Sequence, residues 1–214
     1  MDMLYFLVLD PAVFHGEIVP TQTAAWKQRS FEPCRSLCLR LEPKVKAFAE
    51  QYRVSEEPLL TRVAQGLPFD RELWKVLTGE LLWYSALEIP TVRTAPETLC
   101  CLLAPAEYGR EIDRAEFAPI QQVHYGRRDL RFGGRVYRPE GAGYNDALDV
   151  AALASHLETI REDWTPDDLR AMPGFADEED REEEIAFARE RLAELRELYA
   201  SAARDRRLIV CERV

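Results

Sequence analysis

The longest apolar segment of the chain, Phe69 to Ile89 (FDRELWKVLTGELLWYSALEI), admits one reading, and that reading limits everything around it. Asp70 is a good N-cap, and Leu73, Trp74, Val76 and Leu77 recur at the three-and-four spacing of one helix face. From Leu81 the apolar positions Leu82, Trp83, Tyr84 and Leu87 spread round the circumference, which marks a helix for the interior. Pro90 is its predicted stop, because proline cannot donate the next backbone bond and disfavours helical geometry in the residue before it. A chain carrying such a rod must wrap other elements around it.

The 214 residues, 47% of them apolar, are enough for one core of that kind, so the reading is a single compact domain over 1–214. A formal net charge of -10 argues against general nucleic-acid or anionic-membrane binding. No uncharged apolar run is long enough to span a bilayer, and the amino terminus lacks the basic start and small-residue cleavage site of a secretory signal. A cytoplasmic protein is expected. Five scattered cysteines, Cys34, Cys38, Cys100, Cys101 and Cys211, are not a disulfide framework and read as buried small hydrophobes. With three histidines, none near Cys34 and Cys38 in sequence, neither a metal site nor a cofactor is expected.

Met3 to Leu9, closed by Asp10-Pro11, reads as a strand buried on both faces. Ala12 to Glu32 shows no sustained period and reads as an irregular arm pinned by Trp26. Ser36 to Leu41 alternates as a second strand, and Pro43 then opens a helix to about Tyr52. Ser55-Glu56-Glu57-Pro58 is a helix start, with Gly66 at its end. Thr98 to Leu103 is a short helix stopped at Pro105, and the rest of Thr91 to Pro119 carries no assignment.

Ile120 to Tyr125 and Leu130 to Tyr137 read as strands. Gly133-Gly134 makes the second a hairpin, setting Leu130 opposite Tyr137 and Arg131 opposite Val136. Pro139, Gly141 and Gly143 form a loop, Asn145 or Asp146 caps the next helix, and Thr165-Pro166-Asp167-Asp168 starts a short one broken at Pro173-Gly174. Glu178 to Arg204 is the longest helix, with Ile185, Ala188, Leu192, Leu195, Tyr199 and Ala202 on one narrow stripe. Leu208 to Cys211 is a buried final strand. Strands at both ends with packed helices between them give an α+β fold with a mixed sheet.

No glycine-rich phosphate loop, HExxH, paired CxxC or GxSxG elbow is present, which points away from an enzyme. One stretch stands against the acidic balance, His124 to Arg138 (HYGRRDLRFGGRVYR), where Arg127, Arg128, Arg131, Arg135 and Arg138 interleave with Tyr125, Phe132 and Tyr137. Guanidinium forks grip phosphate or carboxylate, so His124, Tyr125, Arg127, Arg128, Arg131 and Arg135 are the candidate ligand-binding residues. Against this stands the plain alternative of a solvated hairpin whose arginines pair with the protein's own carboxylates. His124 and Tyr125, with Glu107, Glu111 and Asp113 just upstream, are a candidate acid and base, against a histidine that is hydrogen-bonded structure. The acidic run Asp177 to Glu184 reads as a solvated helix start.

The C-terminal third, with its helix over Ala151, Leu153, Leu157 and Ile160, the Thr165 to Arg170 turn, the long helix ending in Leu195, Leu198, Tyr199, Ala202 and Ala203, and the LIVC strand, resembles the YfbM-like family of uncharacterised bacterial proteins. Met1-Asp2-Met3-Leu4 with Tyr5-Phe6, and Asp70, Trp74 and Leu77-Thr78-Gly79, are similar to that family as well. The resemblance implies a compact mixed α and β fold and brings neither an activity nor site residues.

Two functions fit these readings. The first is a non-catalytic binding protein of immunity or regulatory type with a protein partner, its acidic surface suited to rapid capture of a basic one. The alternative is an enzyme or sensor for an anionic small molecule or nucleotide built on the arginine hairpin.

Overall fold

The computed structural model describes residues 4–52, 57–90, 95–138, 141–173, 175 and 177–213. In chain order its first half holds β1 (Leu4–Leu9), α1 (Pro11–Val13), a π-helical turn (Phe14–Ile18), α2 (Val19–Gln28), α3 (Glu32–Tyr52), α4 (Leu59–Ala64) and α5 (Arg71–Ser85). The second half holds α6 (Pro96–Leu103), a 3-10 turn (Arg114–Glu116), α7 (Pro119–Tyr125), β2 (Arg128–Asp129), β3 (Arg131–Phe132), β4 (Arg135–Val136), β5 (Ala142–Asn145), α8 (Ala147–Thr159), a 3-10 turn (Pro166–Leu169), α9 (Glu178–Arg204) and β6 (Leu208–Arg213). The fold is α+β. Met3, Ser55, Glu56 and Gly174, which the sequence reading used as element ends, lie outside the described residues. No described helix is long and apolar enough to cross a membrane.

The elements gather into two compact units, residues 1–8, 90–129 and 140–214 in the first and 9–89 and 130–139 in the second. In the first, a four-stranded sheet runs in the order β1, β6, β5, β2, so the strands from the two chain ends are neighbours. The sequence reading expects a mixed sheet; the two pairs whose register is described, β2 with β5 and β5 with β6, are antiparallel. Phe6, Val8, Ile209 and Cys211 from the sheet pack with Leu99, Val123, Val150, Leu157, Leu192, Leu195 and Tyr199 from the helices. The longest helix has the predicted limits because Asp177 caps it, accepting the Asp180 N–H at 2.9 Å, and its apolar stripe from Ile185 to Ala202 is buried. Asp146 caps α8 in the same way, accepting the N–H groups of Leu148 and Asp149.

The second unit is helical apart from the β3–β4 hairpin. Asp70 caps α5, accepting from Glu72 and Leu73 at 2.9 Å, and Trp74, Leu77, Leu81 and Leu82 are buried. The helix ends at Ser85, well short of Pro90: Ala86 turns extended and sends Leu87 and Ile89 along a shallow recess with Lys44, Phe48, Trp83 and Tyr84. Val76 and Leu87 are half exposed, so the apolar character all round belongs to a shorter stretch than the sequence indicates. Gly79, costly in a helix interior, is where the Tyr137 hydroxyl lies: a Cβ there would come within 2.9 Å of it.

Four sequence expectations are corrected. Residues 11–28 are helical, not an irregular arm. The Val19 N–H reaches back to the Phe14 carbonyl in a widened turn, next to Pro20, which has no N–H for the usual bond to Gly16. Ser36 to Leu41 belongs to α3, which runs through Pro43. Cys34, Leu37, Cys38, Leu41 and Val45 form its buried stripe at helical spacing, and that burial outweighs the single bond lost at an exposed proline. Ile120 to Tyr125 is helix α7, opened by Pro119 and by the Gln121 Oε1 that accepts the Ala118 N–H at 2.9 Å. Finally, Gly143, read as part of a loop with Pro139 and Gly141, sits inside β5 opposite Cys211; Gly141 is in the turn before the strand, and Pro139 lies outside the described residues.

Candidate functional site

The six residues grouped by sequence are divided by the fold: His124, Tyr125, Arg127 and Arg128 belong to the first unit, Arg131 and Arg135 to the second. His124 is a core residue with no exposure. Its Nδ1 donates to the Ile120 carbonyl at 2.9 Å, and burial pushes its pKa down to about 4 despite that bond, so at neutral pH the ring is uncharged. It has no route to a substrate as an acid or base. Burial likewise pushes the Tyr125 phenol up to about 12.

Arg127 and Arg128 converge on Asp149, a carboxylate with 4% side-chain exposure, the Arg128 Nε at 2.6 Å and an Arg127 guanidinium nitrogen at 3.2 Å. Arg128 also pairs with Asp146 at 2.8 Å. Burial alone would raise the Asp149 carboxyl, but the Arg128 hydrogen bond, the Asp146 N–H and the two positive charges hold it below the ordinary carboxylate range. This is the plain alternative realised: two arginines spent on the protein's own acids, tying β2 to the start of α8. Arg114, which the sequence reading passed over, ties the same region from the other side through Asp129 and the carbonyls of Tyr125, Gly126 and Ala142.

The hairpin keeps its predicted register, Arg131 opposite Val136 and Phe132 opposite Arg135, with the Tyr137 N–H donating to the Leu130 carbonyl at 2.8 Å. Gly133 and Gly134 take the positive φ values, 60° and 83°, that a two-residue turn of this kind demands. The turn is seated on α2: the Gly133 N–H donates to the Thr23 Oγ1 at 2.9 Å, and a Cβ on Gly133 would touch the Trp26 ring at 3.4 Å.

Trp26, beside the hairpin turn, gathers three arginines. Its indole packs against Trp74, ring centroids 4.9 Å apart, and against Phe69 at 6.4 Å, and three guanidinium carbons lie over it: Arg29 at 4.2 Å, Arg135 at 5.7 Å and Arg71 at 6.0 Å. All three arginines are exposed, and among the described residues none has a carboxylate partner. Arg29 reaches the ring from a left-handed backbone, φ 52°, at the end of α2, a conformation that an arginine adopts at a cost of roughly 1–2 kcal/mol. Glycine normally fills such a position.

No protein family, curated protein or solved structure matches the chain. Of the residues proposed from sequence, Arg135 is in the Trp26 cluster. Trp26, Arg29 and Arg71 were missed because they come from segments far apart in the chain. The available local signal is an aromatic residue followed closely by arginine, in Trp26 to Arg29, Phe69 to Arg71 and Phe132 to Arg135.

The arrangement can hold negative charge. Three guanidinium carbons lie within 6.0 Å of one ring centroid, and the attraction of a cation for an aromatic ring favours keeping them there before any ligand arrives. The five cysteines are buried thiols, and burial pushes Cys34, Cys38, Cys100 and Cys211 up to about 12, which leaves them protonated and unreactive.

Proposed function

We propose that the protein is a non-catalytic binding protein whose anionic partner docks on the arginine cluster around Trp26. The observation that carries this reading is that Arg29, Arg71 and Arg135 share one indole without a carboxylate among them, in a chain of 38 acidic and 28 basic residues. Elsewhere acids are drawn to arginines, as at Arg40 with Glu17, Arg128 with Asp149 and Arg196 with Glu162. Like charges held together repel; the attraction of each guanidinium for the indole offsets part of that repulsion, and an anion joining them would offset the rest. The neutral, enclosed His124 and the Tyr125 phenol pushed up to about 12 support binding over catalysis, since both were acid–base candidates in the sequence.

The test is a thermal-shift titration with inorganic phosphate, pyrophosphate and citrate at low salt. At least one should raise the melting temperature of the parent protein, since a ligand at a hundred times its dissociation constant adds about 2.7 kcal/mol. The shift should disappear in the triple variant R29G/R71A/R135A. A parent that responds to none of the three, or a triple variant that responds as well as the parent, refutes the site.

A further inference from the structure

The Trp26 cluster is suited to a narrower class of anion than its charge alone requires. We infer that it recognises a diphosphate group, an inference that rests on the anion-binding reading above. A single carboxylate has one charge and two oxygens, and one guanidinium fork satisfies it. Here three guanidinium carbons lie within 6.0 Å of one ring centroid, with three positive charges to neutralise. Two linked phosphoryl groups carry roughly three negative charges near neutral pH and present oxygens on several sides, matching both counts.

A further donor stands beside the cluster. The hairpin tip is pinned by Gly133 against Trp26, and the next residue, Gly134, is exposed, with φ 83° and open space where a Cβ would stand. Its N–H donates to no described group, which leaves one backbone donor at the hairpin tip, next to Arg135 in sequence. The indole is not offered to a base, because Arg29 lies on it and Trp74 and Phe69 pack against it. The diphosphate itself is the recognised unit, whatever it is attached to.

Isothermal titration at low salt with pyrophosphate, citrate and ADP tests this. Pyrophosphate should bind at least tenfold tighter than citrate, and ADP no more than tenfold tighter than pyrophosphate. R71K and R135K keep the charge and lose the fork, and each should weaken pyrophosphate at least fivefold. R29G, which places glycine at a left-handed position, should keep the parent's melting temperature within a few degrees while weakening pyrophosphate by a similar factor. Citrate binding as tightly as pyrophosphate would leave an anion site and overturn the diphosphate. ADP binding far tighter would reveal a base subsite and overturn it too, as would lysine variants that bind like the parent. Binding of none of the three removes the proposal together with the anion-binding reading.

Discussion

At the scale of single residues, His124 shows how burial changes what a side chain can do. Its pKa near 4 lies below the ordinary 6.5 because a charged ring would lose its hydration in the core. Between those two values the unfolded chain binds more protons than the folded one, so stability is complete above 6.5 and declines as the pH falls towards 4. The decline from this one group should reach about 3 kcal/mol. Urea midpoints measured from pH 7 to 4 should show that slope in the parent and a shallower one in H124L; equal slopes would mean the ring is not buried neutral. Nothing in HYGRRD distinguishes a core histidine from an exposed one, and for the neighbouring Arg127 and Arg128 the sequence left a ligand site and pairing with the protein's own acids both open; the structure pairs these two with an acid. Their partner, Asp149, lies about six turns of helix further along in sequence and could not be named without the fold.

At the scale of elements, the signals that were read correctly are those closed within one helical turn. Asp70 and Asp146, the latter one of two candidates with Asn145, cap their helices, and the double glycine sets the hairpin register. The failures are short segments where two periods compete. SLCLRL alternates like a strand yet also continues the helical stripe from Cys34 to Val45, and packing of that stripe decides for helix. Pro43 is then a flaw the helix tolerates. P43A restores a donor for the Leu39 carbonyl and should raise stability by about 1–3 kcal/mol, seen as a higher urea midpoint; a drop would mean the ring has a packing role. Gly143 works the other way. A Cβ there would run into the Tyr125 carbonyl oxygen and the Arg114 guanidinium, so G143A should cost about 1–3 kcal/mol or more. Gly16, with nothing within 4 Å of its missing Cβ, is the control, and G16A should be neutral or stabilising.

At the scale of the whole molecule, each unit draws on sequence from both sides of the other, and no single cut of the chain separates them. The first unit depends on its opening strand. With the order β1, β6, β5, β2, removal of residues 1–9 leaves Leu208 to Cys211, all buried in the parent, as an open apolar edge. Such an edge pairs with other copies, so the truncated protein should elute as aggregate in size-exclusion chromatography. A monomeric truncation with the parent's melting temperature would show that β1 is dispensable.

Residue order alone determined where the capped helices begin, the hairpin's register and the interior fate of the terminal strands, because each follows from groups a few residues apart. Tertiary structure decided which short apolar pieces became helix, which arginines found acids, and that Trp26 collected Arg29, Arg71 and Arg135 from three distant segments. Caps and turns act through bonds spanning a few residues; which distant side chains share a patch is set by packing across the whole unit, which no local pattern records.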